Sequence, residues 1–158
     1  MTSATLTLHN PAIARGYYER GLWQNETLYM MLSRHAVDRP DAFALQDSRH
    51  RLTWSQLKSW ADGVAADLFY SGIAPGHRIA VWLPSRVETI VTFLASSRNG
   101  YIAVLSLHQN HTVREVMTLL ERCGTKAFVG QPGYGADSDS KISFDSLVIF
   151  LASNALTY

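Results

Sequence analysis

The chain has 158 residues, 14 Lys and Arg against 13 Asp and Glu, six His and one Cys, with 47% apolar and 17% charged residues. This length suits one domain, and the apolar share is enough for a packed core, which excludes a disordered or solvating chain. A net charge of +1 with no Lys/Arg block leaves no broad basic field for a nucleic-acid backbone or an anionic membrane surface, so no nucleic-acid partner is expected. One cysteine can form neither an internal disulfide nor a Cys-rich zinc site, which points to a reducing, cytoplasmic compartment.

Met1 to Asn10 carries no basic segment followed by an apolar stretch of signal-peptide length, and residues 1–25 read as an N-terminal arm. From Glu26 to Arg39, Leu28, Met31, Leu32, His35 and Ala36 recur at helical spacing, with Asn25 or Thr27 placed to cap the start. Pro40-Asp41 ends that helix. Ala42–Gln46 and Arg51–Thr53 flank the polar turn Asp47-Ser48-Arg49-His50, which predicts a hairpin. Thr53 and Gln56 form a capping box that opens a second helix, with Leu57, Trp60, Ala61, Val64, Ala65 and Leu68 on one face and Gly72 as its stop.

Ile79 to Leu83 is a continuous apolar run between Gly76 and Pro84, as in a strand buried on both faces. A helix from about Arg86 to Asn99 follows, closed by Gly100, and Tyr101–Leu105 reads as a second buried strand. Thr112 and Glu115 make another capping box, opening a helix that runs to Cys123 and stops at Gly124; Lys126–Val129 is a third strand. Strands and helices alternating over short connections predict an α/β fold with crossovers onto a parallel sheet. Residues 131–141 are turn-rich and read as a linker, and residues 142–158 form a tail of uncertain kind. Its most apolar part, Leu147–Leu156, has ten residues, whereas a bilayer span needs about 20, so no membrane span is expected.

The residues that carry chemistry elsewhere have plain explanations here. The segment Gly130-Gln-Pro-Gly133-Tyr-Gly135 follows a strand, but it has neither the G-x-G-x-x-G order nor a Gly-Lys-Ser/Thr ending. His108 and His111 stand at a strand's carboxyl end without a third ligand, since Glu115 is claimed by the capping box; no metal site is assigned. Cys123 lies at a helix C-terminus, whose dipole disfavours a thiolate, so it reads as a packing residue. Trp23, Trp54, Trp60 and Trp82 lie on different elements with no basic interleaving and read as packing residues too. Arg98 reads as a cation complementing a helix C-terminus.

The ordered set of motifs is Arg39-Pro40-Asp41, Leu52-Thr53-Trp54-Ser55-Gln56-Leu57, Gly72-Ile73-Ala74-Pro75-Gly76-His77-Arg78-Ile79, Leu83-Pro84-Ser85 and Gly100-Tyr101-Ile102-Ala103-Val104. It resembles the start of the adenylate-forming acyl-CoA synthetases, from about Thr27 to Val129. The stretch Ser106 to Thr112 looks most like the branch acting on cyclohexanecarboxylate and related medium-chain or cyclic acids, which associates the chain with fatty acid metabolism. The resemblance implies the N-terminal portion of that family's large domain: a β-hairpin plus a partial parallel βαβαβ sheet flanked by helices, over residues 26–130. His77 replaces the usual Asp of the Pro-Gly-Asp turn, and His108-Gln109 stands where most members have Asn-Pro.

The resemblance further implies a parent that activates a carboxylic acid with ATP and Mg²⁺ as its acyl-adenylate and transfers it to CoA. The family's Ser/Thr/Gly-rich phosphate loop, its Tyr-Gly-x-Thr-Glu segment, its ribose-gripping Asp and its C-terminal lysine have no counterpart in these 158 residues. Stabilising charge on a transferring phosphoryl group needs such parts, so the chain alone is expected to hold no cofactor, to have no catalytic residue and to be inactive. Asn110, His111 and Arg114, around the start of the helix near Thr112, are the candidates for contact with CoA, because a helix N-terminus favours anionic groups. Two other readings stay open: a non-catalytic α/β interaction module that pairs with another subunit through its unfinished sheet edge, and a small nucleotide-binding domain.

Overall fold

The computed structural model describes residues 10–151 except 106, 132 and 138–147. Most of the expected tail, part of the expected linker and positions 1–9 therefore lie outside the described residues. Within the expected arm, Asn10 caps a helix, α1 (Pro11–Glu19), its side-chain oxygen accepting from the Ala12 N–H at 2.9 Å. Sequence periodicity did not reveal α1 because it buries no residue. Its aromatic end is held locally, with Tyr17 and Trp23 ring centroids 5.0 Å apart and the Arg20 guanidinium 5.3 Å from the Tyr17 ring centre.

Thr27, one of the two caps expected, opens α2 (Leu28–Asp38) by accepting from the Met30 N–H at 3.2 Å. The strands β1 (Phe43–Gln46) and β2 (Arg51–Thr53) pair antiparallel, with Leu45 opposite Leu52 and a register shift between Phe43 and Leu45. The resulting bulge lets Ala44 and Leu45 both pack inward on the core, leaving Phe43 exposed. The expected capping box opens α3 (Trp54–Tyr70), which buries Leu57, Ala61, Val64, Ala65 and Leu68. The chain leaves α3 through Gly72 at φ +82°, a conformation that suits a residue without Cβ.

The main sheet consists of β3 (Arg78–Trp82), β4 (Ile102–Val104), β5 (Thr125–Gly130) and β6 (Val148–Leu151), ordered β4-β3-β5-β6 with every pair parallel. The fourth strand, β6, extends the three that were expected. β3 is flanked on both sides and Ile79 to Trp82 are buried, as its apolar run required. The expectation of a second buried strand at Tyr101–Leu105 needs correction. β4 is shorter and, among the described residues, lies at the sheet's edge, paired with β3 alone, where Ile102 is 46% exposed.

The connections are α4 (Val87–Asn99), between β3 and β4, and α5 (Val113–Cys123), between β4 and β5. One core combines α2, α3 and α4 with Ile79, Val81, Ala127 and Val129 of the sheet. The other lies on the opposite face, where Val116 and Leu120 of α5 pack with Ala80, Trp82 and Phe128. Between α2, α3 and α4, Asp62 accepts from Lys58 Nζ at 2.6 Å and from the Tyr29 hydroxyl, and pairs with Arg98 Nε at 2.9 Å. Arg98 thus does more than complement its helix end, because it ties α4 to the two preceding helices. Burial pushes the Asp62 carboxyl up, but Lys58, Tyr29 and Arg98 together hold it below the usual carboxylate range.

Candidate functional site

In a parallel sheet, ligand crevices form where successive connections reverse direction, outside the carboxyl ends of the strands. From β3 the chain crosses to β4 on one side, then returns past β3 to β5 on the other, with α4 and α5 on opposite faces. The reversal therefore falls at the carboxyl ends of β3 and β5. Here lies an open groove of about 400 Å³, lined on its apolar side by Leu45, Leu83, Pro84, Val87, Ile90 and Tyr134. Asp47, Ser85 and Arg86 supply polar groups to its wall.

Arg86 bridges the two strand ends. Its Nη1 donates to Gln131 Oε1 at 2.8 Å, its Nε donates to Glu88 Oε2 at 3.1 Å, and its Nη2 donates to Glu88 Oε1. Residue 86 stands at the N-cap of α4 but makes no capping bond with its own side chain. Asp47, 40 residues earlier in the hairpin turn, caps α4 instead: Oδ2 accepts from the Val87 N–H at 3.0 Å. Oδ1 accepts from the Arg49 and His50 N–H groups at 2.8 and 2.7 Å. Burial pushes the Asp47 carboxyl up, yet these three N–H donors and the His50 imidazole outweigh it and hold the pKa at about 2.

Asp47, His50 and Glu88 bring three ligand-type atoms within 4.8 Å of one another, so they are where a cation could be held. Two of the trio are already engaged, Asp47 by three N–H groups and Glu88 by Arg86, while the buried Nδ1 of His50 has no hydrogen-bond partner among the described residues. A guanidinium in this position opposes a second cation.

The three residues predicted to contact CoA lie at the amino end of α5. Asn110 and Arg114 are exposed and His111 is half-buried, its Nδ1 3.9 Å from Glu115 Oε2. The groove's described lining includes none of the three, and the Thr112 and Val113 amides beside them are already taken. Glu115 Oε2 accepts from the Thr112 N–H at 2.8 Å, and Asp137 Oδ1 accepts from the Val113 N–H at 2.8 Å. The Glu115 carboxyl is held low by the Thr112 backbone and hydroxyl, so it stays anionic. An anion here would find the Thr112 and Val113 amides already engaged.

The residues expected in a linker, as far as they are described, fold back onto this end of α5. Ala136 N–H donates to the His111 carbonyl at 3.0 Å, and Tyr134 packs edge-on to Trp82 with ring centroids 5.6 Å apart. The Trp82 Nε1–H donates to the His108 carbonyl at 2.9 Å. His77 Nδ1 accepts the Ala74 N–H at 3.1 Å. Sequence reasoning missed Asp47, Arg86, Gln131 and Asp137. Only Asp47 carried a local signal, an Asp opening a four-residue polar turn.

Residues 32–152 match the AMP-binding enzyme family. The chain belongs to that family. Among curated relatives, Enterobactin synthase component E of Escherichia coli strain K12 is 34% identical over 110 residues, covering 68% of this chain and 20% of the relative. A salicylyl-CoA synthase / salicylate adenylyltransferase from a Streptomyces species is 36% identical over 100 residues, covering 62% of this chain and 18% of the relative. Apo MbtA of Mycobacterium smegmatis superposes with a TM-score of 0.72 at 31% identity, over 79% of this chain and 24% of that one. The N-terminal subdomain of Klebsiella oxytoca NpsA, in complex with 3-hydroxybenzoyl-AMSN, has the same fold, with a TM-score of 0.66 at 17% identity over 82% and 31% of the two chains. The chain spans about a fifth of the length of the curated relatives named here.

AMP-binding enzymes are adenylate-forming ligases that use ATP and Mg²⁺. The described residues do not fit a triphosphate. The Val87 amide is capped by Asp47, the first amides of α5 are capped by carboxylates, and the nearby guanidinium of Arg86 is engaged by Glu88. No described helix is long and apolar enough to cross a membrane.

Proposed function

We propose that these residues form the opening part of a cytoplasmic adenylate-forming ligase that activates an aryl carboxylic acid and passes it to the thiol of CoA. In the first step the carboxylate attacks the α-phosphorus of ATP and pyrophosphate leaves; in the second the thiolate attacks the acyl carbonyl and AMP leaves. The reading is carried by the family match over residues 32–152, laid on a sheet whose direction reverses at the Arg86–Gln131 crevice. The aryl class, rather than a cyclic aliphatic or medium-chain acid, draws on the relative named for salicylate and another named as a naphthoate–CoA ligase. Both names include CoA, which supports CoA as acceptor.

In this reading Asn110, His111 and Arg114 contact CoA through their side chains, since the Thr112 and Val113 amides are taken. The chain supplies a wall and a rim, and the phosphate-handling groups come from residues outside it. The edge of β4 that is unpaired among the described residues is the surface through which the chain alone would associate with another copy. The test is ATP–pyrophosphate exchange by the complete polypeptide across a panel of aryl, cycloaliphatic and medium-chain acids, followed by thioester formation with CoA. Exchange with aryl acids and thioester release support the reading. Exchange with aliphatic acids alone, or adenylate formation without CoA transfer, would remove the corresponding half of it.

A further inference from the structure

We infer that Trp82, Gly135 and Asp137 act as a clasp, positioning the loop His108–Thr112 so that Asn110 and His111 are preset for the acceptor thiol's carrier; this rests on the CoA reading above. Three contacts come from outside the loop and converge on its two ends. Trp82, at the carboxyl end of the central strand, donates its Nε1–H to the His108 carbonyl at 2.9 Å. Ala136 donates its N–H to the His111 carbonyl at 3.0 Å, and Asp137 accepts the Val113 N–H at 2.8 Å. Between these, Gly135 at φ +128° lies so close to Trp82 that a Cβ would sit 2.6 Å from its ring and 3.1 Å from the His111 carbonyl oxygen. Only glycine at 135 lets residues 133–137 close over the indole and reach the loop.

Trp82 is 1% exposed, and its indole N–H is directed to the carbonyl of His108, an exposed residue. Fixing the loop before the ligand arrives reduces the ordering cost of binding, so the clasp acts on affinity for the ligand of that loop and not on acid activation at a distance from it. None of the three residues needs to touch CoA. They are positioning residues acting through Asn110 and His111.

Trp82→Phe removes the indole donor while keeping an aromatic ring, and Asp137→Ala removes the cap while leaving the buried core untouched. In the complete polypeptide, each variant is expected to raise KM for CoA about fivefold, the effect of one ordering hydrogen bond, with aryl-acid-dependent ATP–pyrophosphate exchange unchanged. Amide hydrogen exchange across residues 107–113 is expected to quicken in both variants. Unchanged exchange in that loop, or faster exchange with an unchanged KM for CoA, overturns the clasp while leaving the ligase reading intact. A wild-type enzyme that forms adenylate but does not use CoA overturns the CoA reading first, before any variant is compared, and the clasp's assignment to CoA falls with it.

Discussion

Replacing Asp47 by Ala removes the cap of α4 from a site 40 residues distant in sequence. The carboxylate accepts from the N–H groups of Arg49, His50 and Val87, and its side chain is 9% exposed. Lowering its pKa from an ordinary 3.8 to about 2 corresponds to about 2.5 kcal/mol of folding free energy at neutral pH. Cap deletions cost about 0.5–2 kcal/mol, and a buried N–H left unpaired about 1–3, so a loss of about 2–3 kcal/mol is expected. Because the folded pKa is depressed, the contribution is complete above the unfolded value near 4 and disappears as pH falls towards 2. Urea unfolding of the full chain, followed by tryptophan fluorescence between pH 7 and pH 2, measures both effects. Wild type should lose this increment between about pH 4 and 2, and Asp47→Ala should be weaker at pH 7 but show a flatter acid limb. A variant within 0.5 kcal/mol of wild type at pH 7, or one with the same acid limb, would refute the trans-capping argument.

Gly135→Ala combines a positive φ with a Cβ 2.6 Å from the Trp82 ring, and should cost about 2 kcal/mol in the same unfolding assay, whereas alanine at Gly133, with open space around its Cβ, should cost about half as much. Asp62→Ala leaves Tyr29, Lys58 and Arg98 without their common acceptor. Since these side chains are about one-third exposed, the expected loss is only about 1 kcal/mol, reduced further at 1 M salt. The Asp62 carboxyl is held low, so its share of that stability is present at neutral pH and is lost on acidification; stability that is insensitive to both salt and Asp62 would contradict the network.

Where a signal is local the sequence expressed it well. The capping boxes at Thr53/Gln56 and Thr112/Glu115 both form with reciprocal bonds, and Gly100 and Gly124 both end helices in the left-handed conformation. The continuous apolar run of Ile79–Leu83 marked the central strand, because burial on two faces erases alternation. Tyr101–Leu105 has a similar composition but lies at an edge, and nothing in a run of five residues says how many neighbours a strand will have. The helix α1 went unseen because periodicity reports a buried stripe, and none of its residues is buried.

The crevice was harder to read for the same reason. Asn110, His111 and Arg114 were placed from a capping box and a strand end, both local features. That Asp137 occupies the Val113 amide, Asp47 the Val87 amide and Arg86 the Gln131 side chain depends on contacts across 24 to 45 residues. Such contacts follow from the strand order, which reverses direction at β3, and strand order is not encoded in any window of the chain. The family resemblance reached the fold and the adenylate chemistry through the order of its motifs, and it did not reach the acid.

The central claim is that these residues belong to an acid-activating ligase but supply only the wall and rim of its site. The most direct measurement is mass-spectrometric detection of the acyl-adenylate after incubation with ATP, Mg²⁺ and salicylate or 3-hydroxybenzoate, comparing the 158-residue chain with the complete polypeptide. The complete polypeptide should form an aryl-adenylate and the chain alone should form none. Adenylate from the chain alone after rigorous removal of host enzymes, or no adenylate from the complete polypeptide with any carboxylic acid, would contradict the account.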